Sequence, residues 1–223
     1  MDQRSGRQHR RRHRPSVTMA ASTRSRKRNG DERRRQLCDA AIQVLAEQGS
    51  RGLTHGQVDR CAGVPEGTTS YYYRTRAALL RGVGWRVAEI DVANLQSVID
   101  EPPDPLAPFA HLAELTMMQA DGPGLMLNRA RHELLLGAVR DPGLAETSQT
   151  FVAQMNAMTR EAIAHLQPGT DDPELLDAQT TAVTTFIAGV FTRLAGGDRT
   201  ISNAEQLTRL LEAVATAVSL QRA

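Results

Sequence analysis

The chain is expected to be all-α. Apolar residues recur at helical spacing almost throughout its 223 residues, and no Val-, Ile- or Thr-rich run alternates with period two. Proline, glycine and Asp-Pro punctuation cuts that pattern into pieces of helix length. All three tyrosines, Tyr71, Tyr72 and Tyr73, stand side by side in one short piece. A helix turns about 100° per residue, so three adjacent rings cannot share one core, and at least one points outward.

Residues 1–30 hold ten bases, one acid (Asp2) and almost no large apolar side chains, and are expected to form a disordered basic extension. Two readings stay open: a basic arm lying along DNA, or a natural start at Met19. The first helix is expected from Asp31 to Gln48, closed by Gly49, with Leu37, Ala40, Ala41, Val44 and Leu45 as its apolar stripe. Arg33, Arg34 and Arg35 near its start oppose the helix dipole, and read equally as a solvated face or as phosphate contacts. Thr54-His55-Gly56-Gln57 has the Thr-x-x-Gln pattern of a capping box and opens a second helix that ends at Gly63. After the turn Gly63-Val64-Pro65-Glu66-Gly67 comes a short helix over 66–73. Two short helices joined by a glycine-containing turn make a helix-turn-helix, whose second helix enters the DNA major groove. Cys38 and Cys61 fall in helical patterns and read as small buried thiols.

A long helix starts near Thr75, its N-cap, carries Leu79, Leu80, Val83, Val87, Ile90 and Leu95 on one side, and ends at Glu101-Pro102-Pro103-Asp104-Pro105. Further helices are expected over Leu106–Ala120, Leu125–Arg140, Pro142–Gln167, Pro173–Ala195 and Ala204–Gln221. Asp121-Gly122-Pro123-Gly124 reads as a turn, Asp141-Pro142 and Asp172-Pro173 as caps with a first-turn proline, and Ser202 as the last N-cap.

The net charge of +2 hides an asymmetry: outside residues 1–30 the chain has 17 bases against 24 acids. Residues 31–80 are near balance and 81–223 are acidic, so only the amino-terminal part suits phosphate. No apolar run reaches the roughly 18 residues that span a bilayer, and a cytoplasmic location with no membrane partner is expected. His132-Glu133 meets Leu136 where a zinc-protease helix needs its second histidine, and Gly82-Val83-Gly84 lacks the third glycine of a dinucleotide loop. P-loop and Gly-x-Ser-x-Gly patterns are absent, so no enzyme, cofactor or metal is expected.

The stretch from Arg33 to Leu80 resembles the DNA-binding domain of the tetracycline-repressor (TetR) family. The residues that carry this are Ala46-Glu47-Gln48-Gly49, Leu53-Thr54, Ala62-Gly63-Val64, Gly67-Thr68-Thr69, the tyrosine run and Arg76-Ala77-Ala78-Leu79-Leu80. Arg131-His132-Glu133-Leu134 and Arg140-Asp141-Pro142 resemble a further segment of the family. The resemblance implies a helix-turn-helix domain over 31–80 and a helical ligand-binding and dimerisation domain over 81–223. It implies that Thr54, with His55 beside it, meets phosphate and that Gly67 lets the backbone approach DNA. Thr68, Thr69 and Ser70 then face the groove, and Tyr71 and Tyr72 place rings and hydroxyls on the duplex. Tyr73 enters the core, and Arg76, where the family has lysine, clamps phosphate. Three departures are Ser70 for a usual tyrosine, Pro65 for a serine-like cap, and Glu66, a carboxylate able to accept from a cytosine amino group.

By the same resemblance the function is that of a homodimeric, ligand-responsive regulator, most simply a repressor, released from a palindromic operator by a small-molecule inducer. A constitutive or architectural DNA-binding protein and a transcriptional activator are the alternatives. The dimer is expected through the last two helices, by Ala182, Phe186, Gly189, Val190, Leu207, Leu211, Val214 and Val218. Trp85, Phe109, Met117, Met118, Met126, Phe151, Met155 and Met158 are candidates to line an adaptable apolar cavity.

Overall fold

A computed structural model describes residues 17–99, 106–167 and 172–220, with side chains from 28–97, 106–149, 152–167 and 172–220. Over these residues the chain forms α1 (Val17–Gly52), α2 (His55–Cys61), α3 (Thr68–Tyr72), α4 (Arg76–Ile99), α5 (Ala110–Met117), α6 (Gly122–Ala138), α7 (Pro142–Leu166), α8 (Pro173–Ala195) and α9 (Ala204–Leu220). No strand occurs among them.

Most boundaries follow the punctuation. Thr54 Oγ1 accepts from the Gln57 N–H at 3.2 Å, and Thr75 Oγ1 from the Ala78 N–H at 3.1 Å. Asp141 and Asp172 cap α7 and α8, each followed by proline at the first helical position. Four expectations need correction. α1 begins at Val17 rather than Asp31, because Ala, Met, Arg and Lys dominate 19–28 and favour helix by intrinsic propensity. Residues 1–16 of the expected extension lie outside the described residues. Arg33, Arg34 and Arg35 therefore sit well inside α1, away from the dipole end they were expected to oppose. Asp121-Gly122-Pro123-Gly124 is the first turn of α6 rather than a loop, since proline near the helix start removes only an N–H that has no partner there. The last N-cap is Asn203, whose Oδ1 accepts from the Gln206 N–H at 2.8 Å; Ser202 instead receives Gln206 Oε1 on its own N–H at 3.0 Å.

Two apolar clusters hold the helices. One joins Leu37, Ala41 and Leu45 of α1, Val58 of α2, and Leu79, Val83 and Val87 of α4 to Leu127, Ala130 and Leu134 of α6 and Leu144 of α7. The other joins Leu95 and α5 to Ile163 of α7, Val183, Ile187, Val190 and Leu194 of α8, and Leu207, Leu211 and Ala215 of α9. Each large side chain so buried contributes roughly 1.5–3 kcal/mol. The amino-terminal core thus does not close at residue 80: α6, far along the chain, completes it. Polar ties add register between α1 and α4, where Arg86 donates to Asp39 at 2.7 Å and Arg35 to Glu89 at 2.9 Å. Cys38 is buried as expected, but Cys61, at the end of the short α2, is exposed.

Candidate nucleic-acid interface

α2 and α3 are too short to hold themselves, and one buried carboxylate joins them. Asp59 is only 2% exposed, and its two oxygens accept from the Gly67 N–H (2.8 Å), the Thr69 N–H (2.7 Å) and the Thr69 hydroxyl (2.5 Å). It therefore caps α3 from the neighbouring helix, the task for which Gly67 has no side chain. Gly67 itself has φ 87°, a left-handed conformation that glycine adopts without Cβ strain. His55 Nε2 lies 2.7 Å from the Tyr73 carbonyl and fastens the far end of α3 to the start of α2. From α1, Gln36 donates to the Ala62 carbonyl at 3.1 Å and fixes the turn.

This frame decides which predicted contacts face outward. Thr69 does not: it is fully buried, with its hydroxyl spent on Asp59, because the capping carboxylate lies on the inner side of α3. His55 is half-buried and engaged with backbone rather than presented on the surface. Ser70 and Tyr71 are exposed, Tyr71 at 78%, and Thr54, Glu66, Gly67 and Arg76 are exposed beside them. Thr68 is half-buried and donates its hydroxyl to the Pro65 carbonyl at 2.5 Å. Tyr72 is half-buried, edge-on to Tyr71 with ring centroids 5.1 Å apart, and the Arg34 guanidinium lies over its ring at 5.3 Å. Tyr73 packs inward, its hydroxyl 3.2 Å from Cys38 Sγ, and its ring sits so close to Gly82 that a Cβ there would lie 2.6 Å away. Burial and the Cys38 contact push the Tyr73 phenol upward, so it stays protonated.

Arg76, at the first turn of α4, donates from one terminal nitrogen to the Ser50 carbonyl at 2.5 Å and to the Ser50 hydroxyl at 2.7 Å. The Ser50 N–H in turn donates to Glu133 Oε2 of α6 at 2.8 Å. Gly49, with φ 67° and ψ −177°, kinks α1 and brings that N–H round to Glu133. Sequence reading missed the roles of both Asp59 and Glu133.

Behind α6 lies a cavity of about 600 Å³ between α4, α6, α7 and α8. Of the expected lining residues with described side chains, only Met155 faces it. Trp85 is 55% exposed, Phe109 is wholly buried in the second core, Met117 and Met158 pack on that core, and Met118 is 43% exposed. Met126 is half-buried on α6 outside the lining, and the side chain of Phe151 lies outside the described residues. The walls come instead from Val87 and Asp91 of α4, Arg131 and Leu134 of α6, Leu144 and Thr147 of α7, and Thr184 and Phe191 of α8, among others. The α4–α7 crossing beside it is tight, since a Cβ on Gly84 would sit 2.7 Å from Thr147 Oγ1.

The expected dimer residues also divide. Val190, Leu207 and Leu211 are buried within the chain, where the α8–α9 pair meets its own core, and are unavailable to a partner. Ala182, Phe186, Val214 and Val218 are half-buried, and Gly189 is exposed with nothing within 4 Å of a Cβ placed on it.

No family model matches the sequence, and no curated protein matches it either. Solved structures do. A member of the TetR family from Streptomyces coelicolor A3 is 25% identical over 82% of this chain and 98% of its own, with a TM-score of 0.58. A TetR transcription regulator from Haloarcula marismortui is 21% identical over 86% and 98%, with a TM-score of 0.64. A candidate transcriptional regulator from Saccharomonospora viridis, solved in complex with choline, is 14% identical over 82% and 95%, with a TM-score of 0.69. Helix order, the capped helix-turn-helix and these superpositions together give the chain the fold of the TetR-family transcriptional regulators.

Proposed function

We propose that this chain is a ligand-responsive transcriptional regulator, most simply a repressor, that binds a palindromic operator as a homodimer. The observation that carries the reading is the outward row on α3. Ser70 and Tyr71 are exposed on a helix of five residues whose opposite side is pinned by Asp59. A helix so short and so rigidly capped has little use except to present that row. In the major groove the Ser70 hydroxyl serves base edges and the Tyr71 ring meets thymine methyls or sugar. Thr54 and Arg76 flank the row as phosphate contacts, with Arg34 behind Tyr72.

Dimerisation is assigned to the exposed faces of α8 and α9 around Gly189, where small residues allow close approach of a second copy. Two recognition helices must then stand about 34–36 Å apart to reach successive major grooves. The cavity supplies the control. Arg131, His132 and Leu134 of α6 line it, and Glu133 among them holds the Ser50 N–H beneath Arg76. A ligand that moves α6 therefore moves the mount of the helix-turn-helix, and shifts DNA affinity by its differential binding to the two positions. The choline complex of the Saccharomonospora viridis protein supports small-molecule binding within this fold.

Selection of bound duplexes from a random library tests the proposal. Recovery of an inverted repeat with half-site centres about one helical turn apart supports it. Recovery of no enriched sequence, or of a single half-site bound by a monomer, rejects it.

A further inference from the structure

Two connectors run side by side at the edge of the helix-turn-helix. Residues 49–54 take the chain round the Gly49 kink and into α2, and residues 73–75 join α3 to α4. Side chains fasten the two together at both ends. His55 Nε2 lies 2.7 Å from the Tyr73 carbonyl, and Arg76 donates to the Ser50 carbonyl and hydroxyl at 2.5 Å and 2.7 Å. Arg51 and Arg74, neither of which the sequence reading singled out, therefore stand on adjoining stretches of backbone, beside Thr54 and Arg76.

What marks these two arginines is the state of their charge. Arg33 donates to Gln36, Arg34 pairs with Asp31, Arg35 pairs with Glu89, and Arg60 donates to Gln57. Arg51 and Arg74 are exposed and make no hydrogen bond or ion pair with any described residue. Along the chain no acid stands between Gln48 and Val58, or between Gly67 and Ala88. Two carboxylates approach from elsewhere, and both are engaged: Glu133 accepts the Ser50 N–H at 2.8 Å, and Asp59 is buried in the α3 cap. Three guanidiniums thus belong to one edge with little opposing charge. Such an arrangement repels itself in the free protein and is relieved by an anion.

The hydroxyls of the same edge agree. Thr54 and Thr75 accept from the Gln57 and Ala78 N–H groups, and neither gives its own proton to a described acceptor. A hydroxyl has one proton, so both retain it for an oxygen arriving from outside. A phosphodiester oxygen, negative and acceptor-only, suits both kinds of group. The edge also continues directly from the exposed Ser70 and Tyr71 of α3.

We propose that Arg51 and Arg74 are phosphate contacts to a DNA duplex, and that with Arg76 they form a three-guanidinium clamp on the backbone at each half-site. The clamp rests on the reading of this chain as an operator-binding regulator. Arg76 spends one terminal nitrogen on Ser50, so it holds the two connectors together as well as meeting phosphate. Contacts of this kind fix register and affinity without reading sequence.

Titration of the selected operator and of a scrambled duplex with the full chain, over about 50–200 mM salt, tests the clamp in parent, Arg51→Gln, Arg74→Gln, Arg51→Lys and Arg74→Lys. Each Gln substitution is expected to lower the salt slope by about one per half-site, and so to shrink the affinity lost across that range by roughly threefold per half-site. Base preference and thermal unfolding are expected to stay as in the parent. Each Lys substitution is expected to keep the parent slope, because charge rather than shape releases counterions. A slope that either Gln substitution leaves at the parent value overturns the clamp while leaving the regulator reading intact. A lysine variant with the lowered slope, or a Gln variant with altered base preference, also overturns it and gives that arginine a structural or base-reading role. A parent chain that binds operator and scrambled duplex alike contradicts the regulator reading on which the clamp rests.

Discussion

Thr69 and Ser70 are neighbours with opposite duties, and the difference is testable. Thr69 completes the Asp59 cap, so Thr69→Val leaves a buried carboxylate short of one bond and is expected to cost about 1–3 kcal/mol of stability, with base preference unchanged. Ser70→Ala and Tyr71→Ala act on exposed groups and are expected to move stability by no more than about 0.5 kcal/mol while altering operator preference. Thermal unfolding beside a binding-site selection separates the two patterns; a shift of base preference in the Thr69 variant would put that side chain in the groove after all. Arg76→Ala is expected to weaken binding to every duplex alike and to lower the salt slope by about one. An unchanged slope rejects its phosphate role. Sequence alone placed all four residues on or beside the recognition helix, yet gave Thr69 the wrong side. Three adjacent polar positions span most of a turn, and only the partner of the inner one, Asp59, decides which faces in.

Among the helices, α6 carries the proposed coupling. Its Glu133 grips the kink after α1, while residues on either side of it form cavity wall. Glu133→Ala is expected to keep both ligand affinity and DNA affinity within a few-fold, but to reduce the effect of one on the other; equal ligand-induced release in variant and parent would remove Glu133 from the route. The α1–α4 tie has its own pH signature. Hydrogen bonds from Arg86 first, then from Arg35, hold the Glu89 carboxyl below its ordinary range. Such a group binds fewer protons folded than unfolded, so its contribution is present above the unfolded pKa and is lost as pH falls through the folded one. Helix number and order were readable from proline, glycine and Asp-Pro punctuation. The start of α1 was not, because residues 17–30 offer helix propensity without the apolar stripe on which periodicity depends. The cavity was equally hidden: its walls come from one side of four helices, and of the methionines and aromatics that suggested it Phe109, Met117 and Met158 belong to the second core.

For the whole molecule, the proposed function depends on two copies held at the correct spacing. Val190, Leu207 and Leu211 looked like interface because buried and interfacial apolar residues share the same helical period. Gly189 is the better handle. A Cβ at Gly189 meets nothing within 4 Å and the position is exposed, so the Gly189→Arg monomer is expected to fold normally, fail to dimerise and lose operator affinity by at least tenfold. A variant that remains dimeric in sedimentation would move the interface elsewhere.

The most direct measurement is a hydroxyl-radical footprint of the purified protein on its selected operator, comparing parent, Tyr71→Ala and Arg76→Ala. Two protected half-sites about one helical turn apart are expected for the parent, with protection lost at the central bases of each half-site in the tyrosine variant and weakened evenly in the arginine variant. Protection that is continuous and identical in all three proteins would show that α3 does not read the duplex.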